Sequence, residues 1–322
     1  MRSRLAVAWL LLACAGTSCA NVRVAEPPTG GPSGARSSFV AREPVRIVIM
    51  CAVEPELEKL LAASRIDSRI EIAGRTHHVG SLEGHPVVML LAGVSMVNAA
   101  AATQAVVDHF EVGAIVFSGI AGGANPGLNI GDVTVPSRWG QHQEMVFARQ
   151  TNGGWDTGGR AQEFTNFGMM FPRGQLMPGA RIDSQRRSRQ FWFAVDERML
   201  ARARELAGEL TLRRCADSGE CLERTPHLVV GGNGVSGPTF LDNTAFREWI
   251  WDTFEADAVD METAAVAQVA AINGTRFLAF RSLSDLAGGG AGANQIRTFG
   301  RLAADNSAAV LLQFLRDWRG VD

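Results

Sequence analysis

The chain has 322 residues, 46% of them hydrophobic and 20% charged, with a formal net charge of −2. This composition supports a large buried core, and the near-neutral balance gives no electrostatic case for nucleic-acid binding, which normally needs a basic face. With Lys59 as the single lysine, Schiff-base chemistry has almost no candidate nucleophile.

Arg2 and Arg4 precede an apolar run, Leu5 to Ala15, that is too short to span a bilayer, and Ser18-Cys19-Ala20 fits a small-residue cleavage site. Residues 1–20 therefore read as an export signal, with a retained short anchor as the alternative. Leu11-Leu12-Ala13-Cys14 and Gly16-Thr17-Ser18-Cys19 are imperfect lipid-attachment patterns, so a periplasmic and a lipid-anchored envelope protein are both open expectations. Residues 21–43 are rich in Pro, Gly and Ser and read as a flexible linker. The remainder, 44–322, reads as one domain.

Val45 to Cys51 is a continuous apolar run, the mark of a strand covered on both faces. Glu54-Pro55-Glu56 opens a helix, since proline costs nothing in a first turn. Ile70 to Ala92 predicts two or three strands turning at Gly74-Arg75 and Glu83-Gly84, and Met96 to Phe110 predicts a helix. Ala114 to Ser118 predicts a buried strand entering Gly119-Ile120-Ala121-Gly122-Gly123, and Asn129 to Pro136 a further strand. Residues 150–190 show no period, and an insertion is expected around 137–225. Helices are expected over Asp196–Leu212, Asn243–Phe254, Glu262–Ile272 and Arg301–Trp318, and strands over His227–Gly232, Ala258–Asp260 and Thr275–Arg281. This alternation predicts a three-layer α/β/α sandwich with a mixed, largely parallel central sheet. Cys51 reads as a buried hydrophobe, and Cys215 and Cys221 bracket a polar loop that suits a disulfide better than two free thiols in an exported protein.

Ligands in open α/β sheets bind outside the carboxyl ends of the strands. Val259-Asp260-Met261-Glu262 and Arg281-Ser282-Leu283-Ser284-Asp285 each deliver acids to such a point. Together with Ser118-Gly119-Ile120-Ala121-Gly122-Gly123 and Leu128-Asn129-Ile130-Gly131-Asp132-Val133, these stretches resemble the nucleoside phosphorylase/nucleosidase superfamily. Within it they are similar to methylthioadenosine/S-adenosylhomocysteine nucleosidases and to exported bark-storage-type proteins. The resemblance implies a purine nucleoside substrate, no cofactor and a homodimer, and the histidines do not cluster at metal-ligand spacing.

The resemblance also implies roles. Asp285 would protonate the departing purine with Ser284 in support, or, on the residues alone, would merely cap a helix. Glu262 would accept from the ribose diol with Met261 packed on the sugar, or would only suit a helix dipole. Glu56 would hold the attacking water, and Arg281 would help place it or form a structural ion pair. Phe240 would stack on the base and Leu241 read its edge, although a lone Phe at a strand end also suits a core. Ala121 and Gly122 would approach the ligand with bare backbone. His142 falls where the nucleosidases reach a neighbouring subunit's site. Ala52-Val53-Glu54-Pro55-Glu56 replaces the Gly-Asp-Pro-x-x-Arg loop with which phosphorylases seat phosphate, and no arginine lies there or after Gly93-Val94-Ser95. Water is therefore the expected nucleophile; phosphorolysis and a non-catalytic binding or storage role are the alternatives.

Overall fold

The computed structural model describes residues 44–160, 162–177 and 189–320. The expected export signal and linker, 1–20 and 21–43, lie outside the described residues. Among those described, no helix is long and apolar enough to cross a membrane.

A twelve-stranded mixed sheet organises the domain. Its strands are β1 (Arg46–Cys51), β2 (Arg65–Ile72), β3 (Arg75–Leu82), β4 (His85–Leu91), β5 (Val112–Gly123), β6 (Val133–Val135), β7 (Arg138–Gln141), β8 (Trp192–Ala194), β9 (Leu228–Val230), β10 (Asn233–Ser236), β11 (Ala256–Asp260) and β12 (Arg276–Asp285). The helices are α1 (Glu54–Ala63), α2 (Met96–His109), α3 (Glu197–Glu205), α4 (Thr244–Phe254), α5 (Thr263–Ile272) and α6 (Ile296–Asp317). The central strands β1, β4, β5 and β12 pair in parallel, and their apolar runs are buried on both faces as such pairing requires. The antiparallel meander β2–β3–β4 closes one edge.

Strand β5 outruns its partner. Arg46 to Met50 of β1 pair with β5 up to Phe117, whereas β12 follows β5 as far as Gly122. Beyond that separation β5 meets β11 instead, antiparallel through Gly122 and Gly123. The sheet therefore forks where β1 stops. The opening lies between the chain leaving β1 and the chain leaving β11, which positions the site described below.

The elements depart from the sequence expectations in instructive places. The strand expected over Asn129–Pro136 is only Val133–Val135, because Asp132 folds its own backbone into a turn: its Oδ2 accepts from Asn129 N at 2.8 Å. The helix expected to reach Leu212 ends at Glu205. The region 137–225 is not simply added material, since it supplies β7, β8 and α3 to the body of the domain. Among the described residues between β7 and β8 lie short hairpins such as Arg149–Thr151 with Gly154–Asp156. Cys215 and Cys221 form a disulfide, and Cys51 is buried and free.

Strand β7 escaped notice because its sequence does not alternate, yet Trp139 within it is fully buried. Trp139 pairs in register with Gly234 of β10, and a Cβ at 234 would fall 2.6 Å from the indole ring. Substituting Gly234→Ala must therefore displace Trp139. We expect a loss of about 2 kcal/mol in urea unfolding, as for other overpacked cores.

Candidate active site

A cavity of about 270 Å³ opens at the fork. One wall is Ala52, Val53 and Glu56 from the β1–α1 junction. A second is Ile120, Ala121 and Gly122 of β5, and a third is Val259 to Glu262 at the exit of β11. Ser284 and Asp285 at the end of β12, Thr239 to Leu241 and Ile296 complete it, with Val94 at one side.

Glu56 sits in the first turn of α1, where helix N–H groups lack partners. Its Oε2 accepts from Ala52 N at 2.7 Å and from Val53 N at 3.1 Å, and its Oε1 accepts from Ile120 N at 2.9 Å. The carboxylate therefore ties α1 to β5 across the cavity floor. Burial pushes its pKa up, against the lowering effect of Arg281 and of these three donors.

Arg281 is the hub. It is fully enclosed, with Nε 2.8 Å from Asp260 Oδ2, Nη2 3.4 Å from Glu262 Oε2 and Nη1 4.0 Å from Glu56 Oε1. Its Nη1 also donates to Ile120 O, and its plane lies over the Phe117 ring at 4.2 Å. Burial works against its charge, but Asp260, Glu262 and Glu56 outweigh that and hold its pKa above the ordinary arginine value. Three carboxylates around one guanidinium leave an excess of negative charge in a dry region. Glu262 responds by taking up a proton more readily. Glu262, at the N-cap of α5, is pushed up to about 7, mainly by desolvation and further by Asp260 and Glu56; Arg281 and the Ser95 N–H oppose the shift.

The close approach of Arg281 and Glu56 needs Gly119. A Cβ there would lie 2.4 Å from Arg281 Nη1 and 2.5 Å from Glu56 Oε1. Asp260 anchors the other side. It accepts from the hydroxyls of Ser236 and Thr263, and from the backbone N–H of Glu262 and Thr263, both at 3.2 Å, which caps α5 and sets where Glu262 stands.

Asp285 ends β12. Its Oδ1 accepts from Ala287 N at 2.8 Å and its Oδ2 from Ser284 Oγ at 2.8 Å. Burial raises its pKa over the lowering effect of these bonds. A carboxyl with a raised pKa, hydrogen-bonded at a cavity wall, has the properties of a general acid.

The structure thus brings Glu56, Glu262, Asp285, Ser284, Met261, Ala121, Gly122, Phe240 and Leu241 onto one cavity. Arg281 does not reach the wall; it stands behind the acids and positions them. His142 is not part of the cavity either. It is 1% exposed, turned under Gly237 and edge-on to Phe246 at 5.7 Å, so it cannot extend into another subunit's site. The family position does not carry over because Arg138 to Gln141 forms a sheet strand, after which His142 turns inward. Sequence reasoning missed Asp260 as the second anchor of Arg281, although it lies in the same motif as Glu262. It also missed Ser95, whose backbone N–H donates to Glu262 Oε1 at 2.7 Å.

An acid-walled cavity at the strand ends of a mixed α/β sheet defines an enzyme of acid–base type. The chain belongs to the phosphorylase superfamily, whose family model matches residues 46–316. It is 29% identical over 273 residues to the 5′-methylthioadenosine/S-adenosylhomocysteine nucleosidase of Mycobacterium bovis, covering 84% of this chain and 97% of the relative. It is 28% identical over 233 residues to bark storage protein A of Populus deltoides, covering 69% and 72%. Among solved structures, the S-adenosylhomocysteine nucleosidase of Streptococcus pyogenes in complex with 5-methylthiotubericidin matches with a TM-score of 0.64 at 26% identity, covering 87% of this chain and 99% of that one.

Ser95 holds φ 80° and ψ 158°, a region used essentially by glycine alone. Only its backbone serves Glu262, so Ser95→Gly keeps the contact and removes the strain. We expect about 1 kcal/mol of added stability in chemical denaturation, with base-release kinetics unchanged.

Proposed function

We propose that the protein is a purine nucleoside N-ribosyl hydrolase. The observation that carries this reading is the convergence of Glu56, Glu262 and Asp285 on one cavity whose lining contains no cationic side chain. A phosphate dianion entering there would face four acids, Asp260 included, without an arginine or lysine fork. Water carries no charge to be repelled.

Glu262, when ionised, accepts from the vicinal hydroxyls of ribose, and Met261 offers an apolar surface to the sugar. Asp285 gives its proton to the purine as the sugar–base bond breaks, so the base leaves neutral. Glu56 takes a proton from the water whose oxygen bonds to the anomeric carbon. Its Oε1 accepts one backbone N–H and keeps a lone pair for this purpose. Arg281 fixes the acids relative to one another. Phe240 and Leu241 face the base. The relatives' names point to 5′-methylthioadenosine and S-adenosylhomocysteine as the substrates to try first.

In the same reading the protein is exported, periplasmic or lipid-anchored, and works as a homodimer. The residues at 1–20 and the Cys215–Cys221 disulfide support export. Val94 and Phe240 line the cavity yet are 44% and 53% exposed, and Val97 just beyond is 82% exposed. A second subunit would cover such an apolar rim.

The direct experiment is a screen of purine nucleosides for free-base release by the purified protein, with and without phosphate. Free ribose sugar is expected in both conditions; ribose 1-phosphate formed only with phosphate would overturn the hydrolase. Asp285→Asn is expected to lower kcat by roughly 10²–10⁴, the range for loss of a general acid. Glu262 binds ribose as the anion and its pKa lies at about 7. KM should therefore rise as pH falls through 7, by about tenfold per unit well below that value. A KM flat between pH 5 and 8 would remove Glu262 from ribose binding.

A further inference from the structure

Asp285 has a third partner that no motif contains. Asn294 follows the run Gly288 to Ala293 and immediately precedes Gln295 and α6. Its side-chain Oδ1 accepts from Ile296 N at 3.0 Å, which fixes which way the amide faces. The two Nδ2 hydrogens are thereby directed to Asp285 Oδ1 at 3.2 Å and Asp242 Oδ1 at 3.1 Å. One amide is thus fully committed, accepting from the start of α6 and donating to two carboxylates, one at the end of β12 and one just before α4.

The consequence for Asp285 follows from counting lone pairs. Oδ1 already accepts two N–H donors, from Ala287 and Asn294, and its acceptor sites are filled. Oδ2 accepts only the Ser284 hydroxyl and retains one site. The acidic proton belongs on the oxygen with room for it.

We propose that Asn294 is a positioning residue for the acid of the reaction: it grips Asp285 Oδ1 so that Oδ2 carries the proton and delivers it to the leaving base. The same amide separates Asp285 from Asp242, the other carboxylate whose field reaches it. Without the amide hydrogens between them the two acids would face each other directly. This inference rests on the hydrolase reading for the identity of the acid, and the role of Asn294 is separable from it.

The sign of the effect is definite. An N–H donor to a carboxylate favours its ionised form, so its removal makes Asp285 hold its proton to higher pH, and a third carboxylate at 294 does so more strongly. Two variants, Asn294→Ala and Asn294→Asp, would be compared with the parent. Asn294→Asp keeps the acceptor for Ile296 N. The alkaline limb of the kcat profile for base release should move up by about one pH unit in Asn294→Ala and further in Asn294→Asp, with KM little changed. A structural role alone would lower stability without moving the limb.

A second measurement needs no turnover. The carboxylic-acid infrared band that Asp285→Asn removes should titrate at higher pH in both variants than in the parent. Limbs and bands unmoved in both folded variants would overturn the role of Asn294. A parent that releases no base, with the band shifted, would overturn the hydrolase and leave the grip on Asp285 standing. Should Asn294→Asp fail to fold, Asn294→Ala alone decides.

Discussion

A guanidinium enclosed among Asp260, Glu262 and Glu56, with no access to water, is the contact on which the remainder of the site rests. Burying one such charge is costly, and three acids more than neutralise it. The arrangement persists because each acid is also held elsewhere: Glu56 by three backbone N–H groups, Asp260 by two hydroxyls and two N–H groups, Glu262 by Ser95 N. None can swing out to water when another moves. Burial raises the proton affinity of Glu56, and burial together with the remaining negative excess raises that of Glu262; proton affinity is what the chemistry uses. One cluster thus links stability to reactivity, with backbone strain at Ser95 and the missing Cβ at Gly119 as its local costs.

Asp285 stands apart from this cluster. Burial on another wall raises its proton affinity against the lowering effect of its own donors, and Arg281 takes no part. Acid and base functions are thereby insulated. The ionisation of Asp285 and that of Glu262 are governed by different neighbours.

Much of this was legible in the amino-acid sequence, for identifiable reasons. The central strands are apolar runs, and Glu56, Glu262 and Asp285 each lie at a junction where a strand gives way to a helix or loop, which by itself puts them near strand ends. What was hidden lacks a local signal. Arg138 to Gln141 and Asn233 to Ser236 show neither alternation nor an apolar run, and their pairing, with Trp139 set against the bare backbone of Gly234, is a long-range contact. Asn294 sits in a run of glycine and alanine, and its importance appears only when the loop folds back on Asp285. His142 misled because a family position was carried across a stretch whose residues differ, and the local backbone turns that ring inward.

The fork in the sheet has a lasting consequence for how such an enzyme can diversify. The acids are fastened to β1, β11 and β12, around the point where β5 changes partners, so altering them would unpick the ladder itself. The opposite side of the hollow, with Val94, Thr239 to Leu241 and Ile296, belongs to connections and helix starts that carry none of this pairing. New substrates can be sampled by editing those segments while the reactive groups stay registered to the frame. Chemistry and selectivity are inherited on separate pieces of chain.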